Sequence, residues 1–111
     1  MSHWVEVCSI EDIPLLGSRI VYGGAQGPIA IFRNSNNEIF AVLDRCPHKG
    51  GPLSQGIVHG HAVTCPLHNW TIDLTTGCAH APDQGCVTHY LIKVEHNKIF
   101  LDQNEMMAVH E

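Results

Sequence analysis

Short runs of apolar residues, some continuous and some alternating with polar residues, predict β-strands toward both ends of the chain. Residues 4–8 and 20–22 are two candidates. Residues 29–33 and 38–43 form a third and fourth around the polar turn 34–37. The pattern favours antiparallel strands joined by short turns.

The C-terminal part of the chain shows the same β-strand pattern again, after an intervening region of different composition. Residues 89–95 alternate between apolar and polar, and the dipeptide 96–97 turns the chain into another strand at 98–102. Near the N-terminus, residues 9–12 predict a short capped helical turn that Pro14 ends. Both ends therefore predict a β-framework.

Residues 44–86 differ from this framework. They are rich in glycine, proline, cysteine and histidine and contain only short β pieces such as residues 63–64. A long loop region inside a compact domain is usually functional. We therefore predict one all-β domain over residues 1–111 that carries a loop-rich, functional insert at about 44–86.

Composition narrows the class of protein. Hydrophobic residues make up 44% of the chain and charged residues 15%, as in folded proteins, and the net charge is −5. An acidic chain is a poor match for nucleic acid or an anionic membrane, so neither is expected as a partner.

We see no targeting signal and no apolar run near the ~20 residues of a membrane span, so a cytoplasmic location is expected.

Five cysteines accompany nine histidines. Disulfides are rare in a reducing cytoplasm, so this mixture indicates a metal site rather than a disulfide framework. Cys8, Cys78 and Cys86 are expected to pack as small apolar groups. The alternative for Cys78 and Cys86 is a redox pair.

Two short motifs in the insert offer metal ligands. Cys46 and His48 form a C-x-H motif, and Cys65 and His68 form a C-x-x-H motif, with sixteen residues between His48 and Cys65. Two such loops can close on one metal centre from opposite sides. Two thiolates suit one iron of a [2Fe-2S] cluster, and two imidazoles suit the other.

The neighbouring residues fit loops that approach a cluster closely. Glycines let the backbone N–H groups reach sulfur, and a proline after each cysteine stiffens the turn. A further proline lies in a third loop that we expect to cover the cluster. The expected cluster-loop residues are Pro47, Lys49, Gly50, Gly51, Pro66, Leu67, Trp70 and Pro82.

A structural zinc site is the alternative for the same four ligands. Zinc fingers usually place two cysteines in one motif and two histidines in the next, whereas each motif here mixes the two types. The spacing therefore favours the iron–sulfur interpretation. We see no general base beside a nucleophile and no phosphate-binding loop, so no separate active site is predicted.

The pair CPHKG and CPLHNW resembles the Rieske signature. The phrases GGPLSQGIV, TCPLHNW and GCVTHYLIKVE resemble the small subunit of assimilatory NAD(P)H-dependent nitrite reductase. The resemblance implies a Rieske-like antiparallel β-sandwich, with Cys46 and Cys65 on one iron and His48 and His68 on the other. It also implies a large partner subunit that carries FAD, an iron–sulfur cluster and sirohaem and reduces nitrite to ammonia.

Departures from the wider Rieske group bear on the redox potential. Respiratory Rieske proteins place a serine and a tyrosine near the cluster, where this chain has Trp70 and Ile72. Fewer hydrogen bonds to sulfur predict a potential at the low end of the Rieske range, about −150 mV rather than +300 mV.

Two other functions remain open. One is a Rieske ferredoxin that serves an aromatic-ring-hydroxylating dioxygenase, which would share the fold and the ligands. The other is a non-redox structural or regulatory subunit, because some nitrite reductase small subunits with this fold lack the cluster ligands.

Overall fold

The computed structural model describes residues 3–47, 50–66 and 69–107. The strands are β1 (Trp4–Ser9), β2 (Ser18–Val21), β3 (Ile29–Arg33), β4 (Ile39–Leu43), β5 (Ile57–His59), β6 (Ala62–Thr64), β7 (Thr71–Asp73), β8 (His89–Tyr90), β9 (Ile92–Glu95) and β10 (Lys98–Asp102). Two 3₁₀ turns cover Ile10–Asp12 and Leu53–Gln55, and helix α1 covers Gln103–Met106. In these parts of the chain, no helix has the length and apolar character that a membrane crossing requires.

The strands form three antiparallel sheets. We name them the terminal sheet (β1-β10-β9), the central sheet (β2-β3-β4-β8) and the loop sheet (β5-β6-β7). β1 pairs with β10 from Trp4 opposite Asp102 to Ser9 opposite Lys98. The predicted framework from both ends of the chain is therefore confirmed.

Strand β3 of the central sheet is buried on both faces. Ile31 packs in one apolar cluster with Ile99 of the terminal sheet, and Phe32 packs in a second cluster with Val63 of the loop sheet. Successive residues of a strand point to opposite faces, which explains why β3 is apolar from Ile29 to Phe32 rather than alternating. The fold is a sandwich with three layers, and the second apolar cluster contains the cysteines of both motifs.

A buried asparagine fixes the turn between β3 and β4. Asn34 is 1% exposed, and its Oδ1 accepts hydrogen bonds from the backbone N–H groups of Asn36 and Glu38 at 3.0 and 2.9 Å. Its Nδ2 donates to the Gly60 carbonyl at 3.0 Å. The predicted turn at 34–37 is confirmed, and Asn34 also ties it to the β5–β6 turn of the loop sheet.

The predicted single strand at residues 89–95 is wrong. Tyr90 pairs with Ala41 in the central sheet, whereas Ile92 pairs with Leu101 in the terminal sheet. Leu91 lies between the two strands, and its backbone N–H donates to the Glu105 carboxylate at 2.7 Å. The chain thus crosses from one layer to the next without losing its extended form, which a pattern of alternation does not reveal.

Candidate metal centre

The first motif lies in a closed loop that follows β4. The Cys46 N–H donates to the Gly51 carbonyl at 2.7 Å, and the Gly50 N–H donates to the Cys46 carbonyl at 2.8 Å. Gly50 has a φ of +75°, a conformation that glycine adopts at little cost. The six residues 46–51 therefore form a ring that two backbone hydrogen bonds close.

The second motif has the same closure. The Cys65 N–H donates to the Trp70 carbonyl at 2.7 Å, and the Asn69 N–H donates to the Cys65 carbonyl at 3.0 Å. Asn69 has a φ of +59° and stands where Gly50 stands in the first loop, since asparagine tolerates this conformation better than most residues. The closing bonds of the second loop thus join the same loop positions as those of the first, although residues 65–70 and 46–51 share only their first two residues in sequence.

Both predicted histidine ligands fall outside the described residues. His48 and Lys49 lie between the two ends of the first loop in sequence, and Leu67 and His68 lie between those of the second. Within residues 3–47, 50–66 and 69–107, no group of three or more histidine, cysteine, aspartate or glutamate side chains is arranged to hold a metal ion.

The two motif cysteines are both buried at the first position of their loops. Cys46 is 2% exposed and Cys65 is fully buried, and both belong to the apolar cluster between the central and loop sheets. Two sulfurs at equivalent positions of two matched loops fit a pair of thiolate ligands to one iron. A structural zinc site uses the same ligand type, so this donor pair alone does not choose the metal.

An acidic side chain fastens the first loop to the sheet. The two oxygens of the Asp44 carboxylate accept hydrogen bonds from the Ser54 N–H at 2.7 Å and the Ser54 hydroxyl at 2.8 Å. The Ser18 hydroxyl in turn donates to the Ser54 carbonyl at 2.7 Å. Sequence reasoning missed this contact, although a serine one residue into the 3₁₀ turn after Pro52 was an available signal.

Cys78 and Cys86 form a disulfide bond. The prediction that they pack as small apolar thiols is therefore wrong. The two residues oppose each other across an isolated antiparallel bridge, and the Val87 N–H donates to the Gly77 carbonyl at 2.7 Å just outside it. This narrow hairpin has no alternating pattern that would have predicted the pairing.

The segment between these cysteines, residues 79–85, passes beside both closed loops at Gly85. A β-carbon built on Gly85 would lie 3.1 Å from Cβ of Pro47 and 3.6 Å from Cζ3 of Trp70. Gly85 has a φ of +145°, a region that favours glycine. Pro82, predicted to belong to a covering loop, is exposed in this segment and follows a cis peptide bond.

A cavity of about 460 Å³ lies beside the first loop. Its lining includes Cys46 and Pro47 from that loop, Cys86 from the disulfide, and the exposed Arg45. The cavity thus opens from the surface to the junction of the first loop and the disulfide.

Asp73 begins the turn that leads to the disulfide. Its Oδ1 accepts hydrogen bonds from the Thr75 hydroxyl at 2.6 Å and the Thr75 N–H at 2.8 Å. Thr75 therefore holds the pKa of the Asp73 carboxyl below its usual range. The Asp73 N–H donates to the Cys78 carbonyl at 2.9 Å, which connects this turn to the bridge.

Residues 3–91 match the family model of the Rieske [2Fe-2S] domain. The ferredoxin subunit of 3-phenylpropionate/cinnamic acid dioxygenase from Photorhabdus laumondii is 35% identical over 89% of this chain and 93% of that protein. The ferredoxin component of the naphthalene 1,2-dioxygenase system from Pseudomonas putida is 28% identical over 89% of this chain and 94% of that protein. A match of 46% identity to 4beta-methylsterol monooxygenase from Methylococcus capsulatus covers 50% of this chain but only 14% of that enzyme.

Solved structures share the whole architecture. Sphingomonas yanoikuyae B1 ferredoxin superposes with a TM-score of 0.79 at 25% identity, covering 91% of this chain and 99% of that one. A protein described as a candidate NADH-dependent nitrite reductase small subunit from Mycobacterium tuberculosis superposes with a TM-score of 0.78 at 22% identity, covering 91% and 95%. The second likeness is one of fold.

Proposed function

Because the chain belongs to the Rieske [2Fe-2S] domain family, we propose that this electron-transfer protein is the small subunit of an NAD(P)H-dependent nitrite reductase. The family and its ferredoxin relatives establish the Rieske-type cluster as the cofactor. The phrases GGPLSQGIV, TCPLHNW and GCVTHYLIKVE support the nitrite reductase assignment. The first phrase runs from the end of the first loop into β5, the second contains the second loop, and the third runs from the disulfide to the end of β9.

In this proposal, Cys46 and Cys65 hold one iron, and His48 and His68 hold the other. The matched closure of the two loops, with a buried cysteine at the start of each, is the observation that best supports this ligand set. When bound, a [2Fe-2S] cluster with two imidazole ligands supplies a one-electron centre of higher potential than an all-cysteine cluster.

The residues around the cysteines contribute rigidity and exclude water. Backbone hydrogen bonds close each loop, so the protein's own backbone holds the two cysteines in place. Burial of Cys46 and Cys65 in an apolar cluster keeps water from the sulfur side. Gly85 lies beside the junction of the two loops, where a β-carbon would be 3.1 Å from Pro47 and 3.6 Å from Trp70.

The partner in this proposal is a large cytoplasmic subunit that carries FAD, an iron–sulfur cluster and sirohaem. Electrons that originate from NAD(P)H serve the reduction of nitrite to ammonia on that subunit. The small subunit contributes a one-electron centre and a docking surface rather than a substrate pocket.

A ferredoxin of an aromatic-ring-hydroxylating dioxygenase is the second candidate. Two relatives that match almost their full length, at 35% and 28% identity, are named as ferredoxin parts of such systems. The cluster ligands and the electron-transfer role are the same in both candidates. Only the partner differs, so the partner is what the experiment must identify.

The deciding experiment is purification of the tagged protein from its native host grown on nitrate. A large co-purifying subunit with the absorption of sirohaem and flavin is the expected result. Recovery with an oxygenase, or alone as a red-brown protein, favours the ferredoxin. Iron and labile-sulfide analysis after anaerobic purification provides the control, because zinc without sulfide contradicts both candidates.

A further inference from the structure

We propose that the Cys78–Cys86 bond is a thiol–disulfide exchange site for a protein dithiol. In this proposal, opening of the bond loosens residues 79–85, the cover that lies beside both cluster loops (residues 46–51 and 65–70). The exchange itself is independent of which partner takes the electrons. The effect on the cover rests on the ligand set proposed above.

Exposure distinguishes these two cysteines from the other three. Cys86 is exposed and Cys78 is partly exposed, whereas Cys8, Cys46 and Cys65 are buried. Exchange requires a thiolate to reach one sulfur of the disulfide directly, so exposure decides which bond reacts. Cys86 also lines the cavity of about 460 Å³ beside the first loop, which gives an incoming thiol room to approach.

The surrounding hydrogen bonds allow a local opening. The Ala79 N–H donates to the Gly85 carbonyl at 2.8 Å, just inside the disulfide, and the Val87 N–H donates to the Gly77 carbonyl at 2.7 Å, just outside it. The His80 N–H donates to the Thr71 carbonyl at 2.8 Å. Cleavage of the disulfide therefore removes the covalent tie between the two ends of residues 79–85 and leaves them held by these hydrogen bonds alone, while the three sheets keep their own pairing.

Gly85 transmits this change to the cluster loops. It directly precedes Cys86 and lies beside both loops, since a β-carbon built on it would be 3.1 Å from Cβ of Pro47 and 3.6 Å from Cζ3 of Trp70. Looser tethering of Cys86 therefore lets the chain move away from both loops at one residue. Reduction or oxidation of the exposed disulfide is thus linked to how firmly residues 79–85 are held beside the loops that contain the buried Cys46 and Cys65.

The exchange balances with a dithiol as the reductant. A partner thiolate attacks Sγ of Cys86, a mixed disulfide forms, and Cys78 leaves as a thiolate that takes up a proton. The second partner thiol then attacks the mixed disulfide and releases the Cys86 thiol. The partner is oxidised by two electrons to a disulfide, and Cys78 and Cys86 are reduced to two thiols. Disulfides of reducing compartments are usually transient or redox-sensing, which agrees with this role.

The first test measures exchange without reference to the cluster or the partner subunit. The cluster-loaded protein is treated with reduced thioredoxin, the thiols are trapped with N-ethylmaleimide, and the labelled peptides are identified by mass spectrometry. We expect Cys78 and Cys86 to be labelled while buried Cys8 is not. Labelling of Cys78 and Cys86 only after denaturation would overturn the proposal.

The second test measures the coupling to the loops. The double variant Cys78→Ser/Cys86→Ser serves as the open form and Cys8→Ser as the matched control. We expect loss of the visible cluster absorption in the presence of an iron chelator to be several-fold faster in the double variant, and unchanged in the control. Equal rates for the double variant and the wild type would refute the coupling.

If the double variant does not fold, wild-type protein gives the same comparison. Its disulfide is reduced, the two thiols are alkylated, and the cluster is then returned to its oxidised state in air. The treated protein must then lose absorption faster than protein that was alkylated without reduction. Failure of these tests leaves the nitrite reductase proposal intact, because co-purification of a sirohaem subunit does not depend on the disulfide.

Discussion

Ser54 binds both carboxylate oxygens of Asp44, with its N–H 2.7 Å from one and its hydroxyl 2.8 Å from the other. Asp44 lies between the end of β4 and Cys46, and Ser54 lies three residues after Gly51. The pair therefore clamps the two ends of the first cluster loop.

Loss of this clamp is expected to destabilise the protein. Hydrogen bonds to a charged group contribute about 1.5–3 kcal/mol each, so Asp44→Ala should lower the free energy of unfolding by at least that amount. Urea unfolding of Asp44→Ala and of the exposed control Glu11→Ala checks this. Equal effects of the two substitutions would show that the clamp contributes nothing.

A β-carbon at position 85 is expected to disturb the cluster loops. Gly85→Ala adds backbone strain of about 1–3 kcal/mol and presses on Pro47. Gly23→Ala is the matched control, because Gly23 has a φ of +112° and a β-carbon there would contact nothing within 4 Å. We expect both variants to melt earlier, but only Gly85→Ala to lose iron or change its electron paramagnetic resonance signal. The same signal change in both would assign the effect to strain alone.

The proposed ligands predict that substitution of a ligand abolishes the electron paramagnetic resonance signal and that substitution of another cysteine does not. His48→Ala and His68→Ala should each lose the Rieske electron paramagnetic resonance signal, because each removes an imidazole from the second iron. Cys78→Ala should keep that signal, since Cys78 lies outside the proposed ligand set. An unchanged signal in His68→Ala would refute the ligand assignment.

The reduction potential should lie near the low end of the Rieske range, about −150 mV. Trp70 and Ile72 lack hydroxyl groups, and the hydroxyl of the intervening Thr71 lies 3.1 Å from that of Thr64. A redox titration followed by circular dichroism measures the potential. A midpoint close to +300 mV would contradict the expectation.

Asp73 should make stability depend on pH in the acid range. Thr75 lowers the pKa of Asp73 in the folded state from its ordinary value of 3.8. A depressed carboxyl pKa contributes stability that is complete above the unfolded pKa and is lost as pH falls through the folded value. Unfolding free energies measured from about pH 6 downward should therefore fall less steeply below about pH 4 in Asp73→Asn than in the wild type. Parallel curves would contradict this assignment.

Local patterns predicted much of the framework. β3 matches its predicted range because its apolar run ends at a turn rich in asparagine and serine, and the β9–β10 hairpin follows from the turn at 96–97. The cysteine motifs were also visible, because their spacing is short. The pairing of Cys78 with Cys86 was raised only as the alternative to two packed thiols. Features that depend on tertiary contacts were not visible: the change of sheets at Leu91 and the Asp44–Ser54 clamp. In each case the partner is chosen by tertiary placement, which a local pattern does not encode.

The common closure of residues 46–51 and 65–70 also explains how two motifs of unequal spacing serve related positions. Each ring fixes its length at six residues through the same two backbone hydrogen bonds, so an insertion or deletion in either should abolish its closure. Ring length is thus constrained by the backbone, whereas His48 and His68 are constrained by their proposed role as ligands.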